Sequence, residues 1–199
     1  MSNKEIKEYL QGLIQKYDYY DPIKDRTEAL RFGNVKNKKI IDIGVGKGYL
    51  AILAAKKFGC DVTTIDISKE KISLAKENAK KEGIINKIKF KLNNAMDISF
   101  KKNSFDVAIS FNTLHHNKKG YEKMVEEMFR VAKEKIVITE LNENGAKIFD
   151  EFIHPNENHK DMAINLKNLE NKLNIYGKVK KLNRKLMTTF VCEKNKKNK

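Results

Sequence analysis

The stretch Ile40-Ile41-Asp42-Ile43-Gly44-Val45-Gly46-Lys47-Gly48 joins a short apolar strand to an acid and three glycines at alternate positions. Glycines there let the backbone turn tightly and approach a ligand with no Cβ in the way. The following residues, Tyr49 to Phe58, are rich in good helix formers and aim a helix N-terminus at the same place. A dinucleotide fingerprint, G-x-G-x-x-G, would need its third glycine at position 49, which is Tyr49, and Gly48 arrives one residue early. A carboxylate at Asp42 would also repel a pyrophosphate in a partly desolvated site. A ligand that carries an ammonium group suits Asp42 better.

The order Asp42-x-Gly44-x-Gly46-x-Gly48 resembles the first motif of the class I S-adenosylmethionine-dependent methyltransferases, position for position. The resemblance implies that the glycine loop packs against the methionine part of S-adenosylmethionine and that Asp42 faces its amino group. A glycine-rich loop alone is a weak signal, so the argument depends on the rest of the chain.

A second strand, Asp61 to Asp66, ends in an acid about 20 residues beyond the loop, the spacing of a carboxylate that grips ribose hydroxyls. Ile67 is then expected against one face of an adenine. Asp66 also reads as an acid at the start of the next helix, with Ser68 as that helix's cap. The third strand, Ile88 to Leu92, alternates apolar and basic residues and leads into Asn93-Asn94-Ala95. The resembled family usually has Asp-Ala where this chain has Asn94-Ala95. An asparagine can still accept from the adenine amine, and the alternative is that Asn93 and Asn94 only form a turn.

The fourth strand, Phe105 to Phe111, is followed by Asn112-Thr113-Leu114-His115-His116. This phrasing resembles the small-molecule branch of the family, which implies that Ser110 and Phe111 border the sulfonium and that the next segment lines the acceptor site. A helix ending near Ala132 and a strand from Lys135 to Glu140 extend the resemblance over roughly residues 38 to 140. Methyl transfer from a sulfonium is an in-line displacement. The protein mainly holds donor and acceptor together, excludes water and removes a proton where the acceptor carries one. His115, His116 and Glu140 are the candidates for that last task, against a reading in which the histidines only pack or cap. His154, Glu157 and His159 raise a metal site, but the spacing of the two histidines and Pro155 deny them one helical face, so a lid over the acceptor pocket is expected and no metal.

The chain has 199 residues, 41 basic against 26 acidic, for a net charge of +15, and two cysteines far apart, Cys60 and Cys192. Such a length buries a core without disulfides, and the spacing gives no disulfide framework, so a reducing cytoplasm is expected. No apolar run reaches spanning length and the N-terminus lacks a signal-peptide pattern, so no membrane partner is expected. The positive charge admits nucleic acid as a partner, yet it lies mostly in lysines on solvated helix faces and gives only non-specific attraction.

One domain over residues 1–193 is therefore expected: a helical lid segment (1–35), a cofactor-binding core (36–140), and substrate-side helices with a closing hairpin (141–193). Residues 194–199 read as a disordered basic tail. Alternating strands and helices with right-handed crossovers predict an α/β, Rossmann-like, doubly wound and mostly parallel sheet. By the resemblance it has seven strands in the order 3-2-1-4-5-7-6 with one antiparallel edge strand. Tyr20, in the lid segment, is expected to touch the cofactor. The expected function is methyl transfer from S-adenosylmethionine to a small-molecule acceptor. RNA or protein as the acceptor, and a non-methylating S-adenosylmethionine-binding protein, are the alternatives.

Overall fold

A computed structural model describes residues 21–153 and 158–195. The expected N-terminal helix and Tyr20, as well as His154 and Glu157, lie outside the described residues.

Seven strands form one sheet in the order β3-β2-β1-β4-β5-β7-β6. β1 (Lys39–Ile43), β2 (Asp61–Asp66), β3 (Ile88–Leu92), β4 (Phe105–Phe111) and β5 (Ala132–Leu141) are mutually parallel where they pair. β7 (Met187–Lys194) runs antiparallel to both β5 and the edge strand β6 (Gly177–Asn183). The strands that pack on both faces are the continuously apolar ones: Ile40, Ile41 and Ile43 in β1 and Val107, Ala108 and Ile109 in β4 are all buried. Strand order reverses between β1 and β4, where a doubly wound sheet opens its ligand crevice.

Helices cover both faces. α1 (Pro22–Phe32) starts where Asp21 accepts hydrogen bonds from the backbone N–H groups of Ile23 and Lys24, with Pro22 at the first turn. Asp21-Pro22 thus begins the helix. α2 (Tyr49–Phe58) buries every residue from Leu50 to Ala55 and shares a core with Ile40, Val62, Val107 and Val137. α3 (Lys69–Lys81) is capped by Ser68, whose Oγ accepts from Lys71 N. α4 (Tyr121–Val131) packs Val125, Met128 and Phe129 on the other face, against Ile41, Ile43, Ile136 and Ile138.

After β5 the chain forms α5 (Glu143–Ile148), a π-helical turn Phe149–Ile153, α6 (His159–Met162) and α7 (Leu166–Tyr176). Asn142 and Asn165 cap α5 and α7. Lys194, placed in a disordered tail by the sequence reading, closes β7 instead. Its buried amine donates to the carbonyl oxygens of Phe129 and Ala132 at 2.9 and 2.8 Å and so satisfies the C-terminal end of α4.

Candidate active site

The site is assembled at the carboxyl ends of β1, β2, β4 and β5. The glycine loop leaves β1 with Gly44, Gly46 and Gly48 all at positive φ, 83, 50 and 81°. Backbone N–H groups of Gly44 and Val45 both donate to Ile65 O, which pins the loop to the end of β2. At Gly44 the requirement is absolute: a Cβ would stand 2.3 Å from Thr113 Cγ2. Gly48 sits directly before α2, with Ala75 of α3 only 3.0 Å from where its Cβ would be.

Asp42 is buried at the foot of this loop and accepts a hydrogen bond from Thr64 Oγ1 at 2.8 Å. Burial pushes its carboxyl up to about 7, against the Thr64 hydrogen bond and the positive charge of Arg26, which pull it down. Arg26 comes from α1 and lies over Phe111, 4.4 Å from the ring centroid, with Tyr49 at 5.9 Å. The sequence reading gave Arg26 no role; its only signal was an arginine in the helix that precedes β1.

Asp66 ends β2, mostly buried, and its Oδ1 accepts from Ser68 N at 3.0 Å. Beside it Ile67 is 75% exposed and Leu92, at the end of β3, is 52% exposed. Apolar side chains left bare beside a carboxylate at a strand end suit a flat aromatic ligand with hydroxyls nearby. Asn94 Oδ1 accepts from Met96 N at 2.9 Å, so the side chain shapes a turn, and the partly buried Ala95 packs beneath it. That turn is fastened to α4 by Arg130, which donates to Ile98 O and Phe100 O, and by Glu127, which accepts from Ile98 N at 2.8 Å.

At the end of β4, Ser110 and Phe111 are buried, and Asn112 takes a left-handed backbone with φ of 51°. Glu140, 1% exposed at the end of β5, binds the segment that follows. Its Oε1 accepts from the backbone N–H groups of Thr113 and Leu114 at 3.0 and 2.8 Å, and its Oε2 lies 2.7 Å from His115 Nδ1. Glu140 therefore has both oxygens occupied and acts as an anchor, while His115 Nε2 is turned away from it. His116 is exposed, with its ring centroid 4.2 Å from that of His115.

Three buried side-chain polar atoms among the described residues have no hydrogen-bond partner: Ser110 Oγ, Asn112 Oδ1 and His115 Nε2. All belong to the end of β4 and the turn after it. Buried polar groups are ordinarily satisfied, so this concentration marks a place built for a polar ligand.

The model named "Methyltransferase domain" matches residues 40–135, the segment that carries the glycine loop, Asp66 and the β4 end. Over that segment, just under half of the chain, the sequence is similar to methyltransferase domains. Norajmaline N-methyltransferase of Rauvolfia serpentina is 33% identical to this chain over 111 residues, 53% of this chain and 38% of the relative. The chain thus spans well under half the length of that curated relative. A SAM-dependent methyltransferase from Aquifex aeolicus superposes with a TM-score of 0.70 at 20% identity, covering 92% of this chain and 98% of its own. Haemonchus contortus phosphoethanolamine N-methyltransferase 2, in complex with S-adenosyl-L-methionine, gives 0.70 at 19%, covering 87% and 53%. At these identities the two structures speak for the fold alone.

Among the described residues no group of three or more histidines, cysteines and acids is arranged to hold a metal ion, and no helix is long and apolar enough to cross a membrane.

Proposed function

We propose that this chain binds S-adenosylmethionine and transfers its methyl group to a small-molecule acceptor, as an enzyme of class 2.1.1. The observation that carries this reading is the pairing of two strand-end acids, Asp42 and Asp66, around a loop of three positive-φ glycines. A buried acid with a carboxyl raised to about 7 gains most from a ligand that brings an ammonium group. Gly46, with nothing within 4 Å of its Cβ position, leaves the backbone bare toward the methionine part, Gly44 and Gly48 let the loop of that cradle close on Thr113 and Ala75, and Asp66 accepts from vicinal ribose hydroxyls. Ile67 lies on the adenine face and Asn94-Ala95 borders its edge, while Ser110 and Phe111 stand by the sulfonium. Tyr20 is retained as a cofactor contact from the sequence reading alone. When bound, the sulfonium supplies an already activated methyl group.

The chain's own contribution is to hold and orient. The glycine loop and the Glu140-anchored turn meet where Gly44 abuts Thr113, so the donor cradle and the acceptor-side segment are in direct contact. His115 and His116 stand on the acceptor side, with Glu140 behind them. A small acceptor is favoured because α6 lies against the turn after β4, with Lys118 donating to Asp161 O. A cytoplasmic setting agrees with two buried, unbridged cysteines.

Incubation with methyl-labelled S-adenosylmethionine and a panel of small amines, phenols, thiols and total RNA tests the reading. Label in small molecules supports it. Label in RNA alone would move the assignment to nucleic acid, and tight cofactor binding without transfer to any acceptor would favour a non-methylating protein.

A further inference from the structure

Two buried histidines on the acceptor side are each anchored by a carboxylate. His115 Nδ1 faces Glu140 Oε2 at 2.7 Å, and His159 Nδ1 faces Asp150 Oδ1 at 2.9 Å. Their ring centroids are 5.6 Å apart. Asp150 also accepts from the backbone N–H groups of His159 and Lys160. These bonds, with the His159 ring, outweigh burial and hold its carboxyl below the usual range.

Glu140 fixes what His115 can do. Its Oε1 accepts from two backbone N–H groups, which leaves Oε2 to face His115 Nδ1 alone, an arrangement suited to Nδ1 as the donor. Nε2 is then a lone-pair atom, and it is buried without a partner in a ring that is 4% exposed. Leaving such an atom unsatisfied is costly, and a polar ligand at this place would complete it. The other two orphans nearby, Ser110 Oγ and Asn112 Oδ1, can also accept. Three acceptor-capable atoms at one strand end complement a ligand group that carries hydrogens.

We propose, building on the methyltransferase reading above, that His115 Nε2 takes the proton released by an acceptor that attacks through N–H or O–H. Glu140 is the positioning residue that sets the tautomer, and the Asp150–His159 pair closes the ring off from water. In the step, the acceptor's lone pair forms the bond to the methyl carbon. The carbon–sulfur bond breaks with its electron pair left on sulfur, and the acceptor's proton passes to Nε2. The imidazolium so formed faces the Glu140 carboxylate, with His116 and His159 as the other titratable rings against it and Asp150 behind His159.

The test uses His115→Asn, which keeps a donor toward Glu140 but has no second ring nitrogen, and Glu140→Gln. S-adenosylhomocysteine affinity is measured for every protein. Turnover is measured against pH with a panel of primary amines and phenols set beside tertiary amines and thioethers. Expected are transfer to an N–H or O–H compound, a loss of about a hundredfold or more in kcat for His115→Asn, and homocysteine-product affinity within twofold of wild type. Glu140→Gln is expected to lower kcat and move the ascending pH limb to lower pH. Independently of activity, imidazole nitrogen-15 spectra are expected to place the His115 proton on Nδ1 at high pH. An Nε2–H tautomer, an unchanged pH profile in His115→Asn, transfer confined to protonless acceptors, or no transfer to any panel member by a protein that binds S-adenosylhomocysteine would each overturn the proposal. Failure of the wild type to bind S-adenosylhomocysteine would instead overturn the reading on which it rests.

Discussion

Gly44 and Thr113 interlock: the threonine side chain fills the space in which any other residue at position 44 would carry its Cβ, 2.3 Å from Cγ2 and 2.5 Å from Oγ1. Thr113 cannot retreat, because Glu140 holds its backbone N–H at 3.0 Å. The contact therefore joins the loop after β1 to the turn after β4 across the reversal in strand order, where donor and acceptor must meet.

Gly44→Ala is expected to lower stability by several kcal/mol and cofactor affinity with it, because a clash adds to a φ that costs an L residue about 1–2 kcal/mol. Gly46→Ala pays only the backbone cost, since nothing lies within 4 Å of its Cβ position. Urea titration of the two variants checks the difference; equal losses would show that the Thr113 contact is slack.

Asp66→Ala is expected to weaken S-adenosylhomocysteine binding by about 1.5–3 kcal/mol, the worth of hydrogen bonds to a charged group. Among the described residues its carboxylate accepts a hydrogen bond from Ser68 N alone, so the fold should lose little. Calorimetry beside a melting curve separates the two effects, and unchanged affinity would place the ribose elsewhere.

Asp42 predicts how stability depends on pH. Burial raises its carboxyl from the ordinary 3.8 to about 7, so between pH about 4 and about 7 the folded chain keeps a proton that the unfolded chain has released. Stability without ligand should then fall as pH rises through that window. Asp25 adds to the lower part, since burial raises it to about 6 against the opposing charge of Arg184. Asp42→Asn should flatten the fall up to about pH 7 and Asp25→Asn the part up to about 6, by melting temperature against pH. A melting temperature that rises through the window in the wild type, or a slope untouched in Asp42→Asn, would contradict this.

Lys194→Met is expected to destabilise by about 2 kcal/mol, because the carbonyls of Phe129 and Ala132 lose a buried donor. Removing only the four residues after Asn195 is the matched control, and thermal unfolding reads both.

The parallel core was legible because β1, β2 and β4 are short apolar runs bounded by turn residues, and because Asp42, Asp66 and the glycines are local in sequence. The ends of elements were less so: Lys194 reads as tail until β7 pairs with β6. Histidines at 115 and 116 drew attention as a pair, yet His115 acquires its orientation from Glu140, 25 positions away. The Asp150–His159 pairing crosses from a π-helical turn to α6, a distance no periodicity encodes. Arg26 over Phe111 depends likewise on how α1 lies on the sheet.

The central claim is that the loop at residues 44–48 receives a cationic adenosyl amino acid. Calorimetric titration of the full chain with S-adenosylhomocysteine and, separately, with NAD tests it most directly. The account predicts near-stoichiometric binding of S-adenosylhomocysteine and no binding of NAD, whereas NAD binding without S-adenosylhomocysteine binding would contradict it.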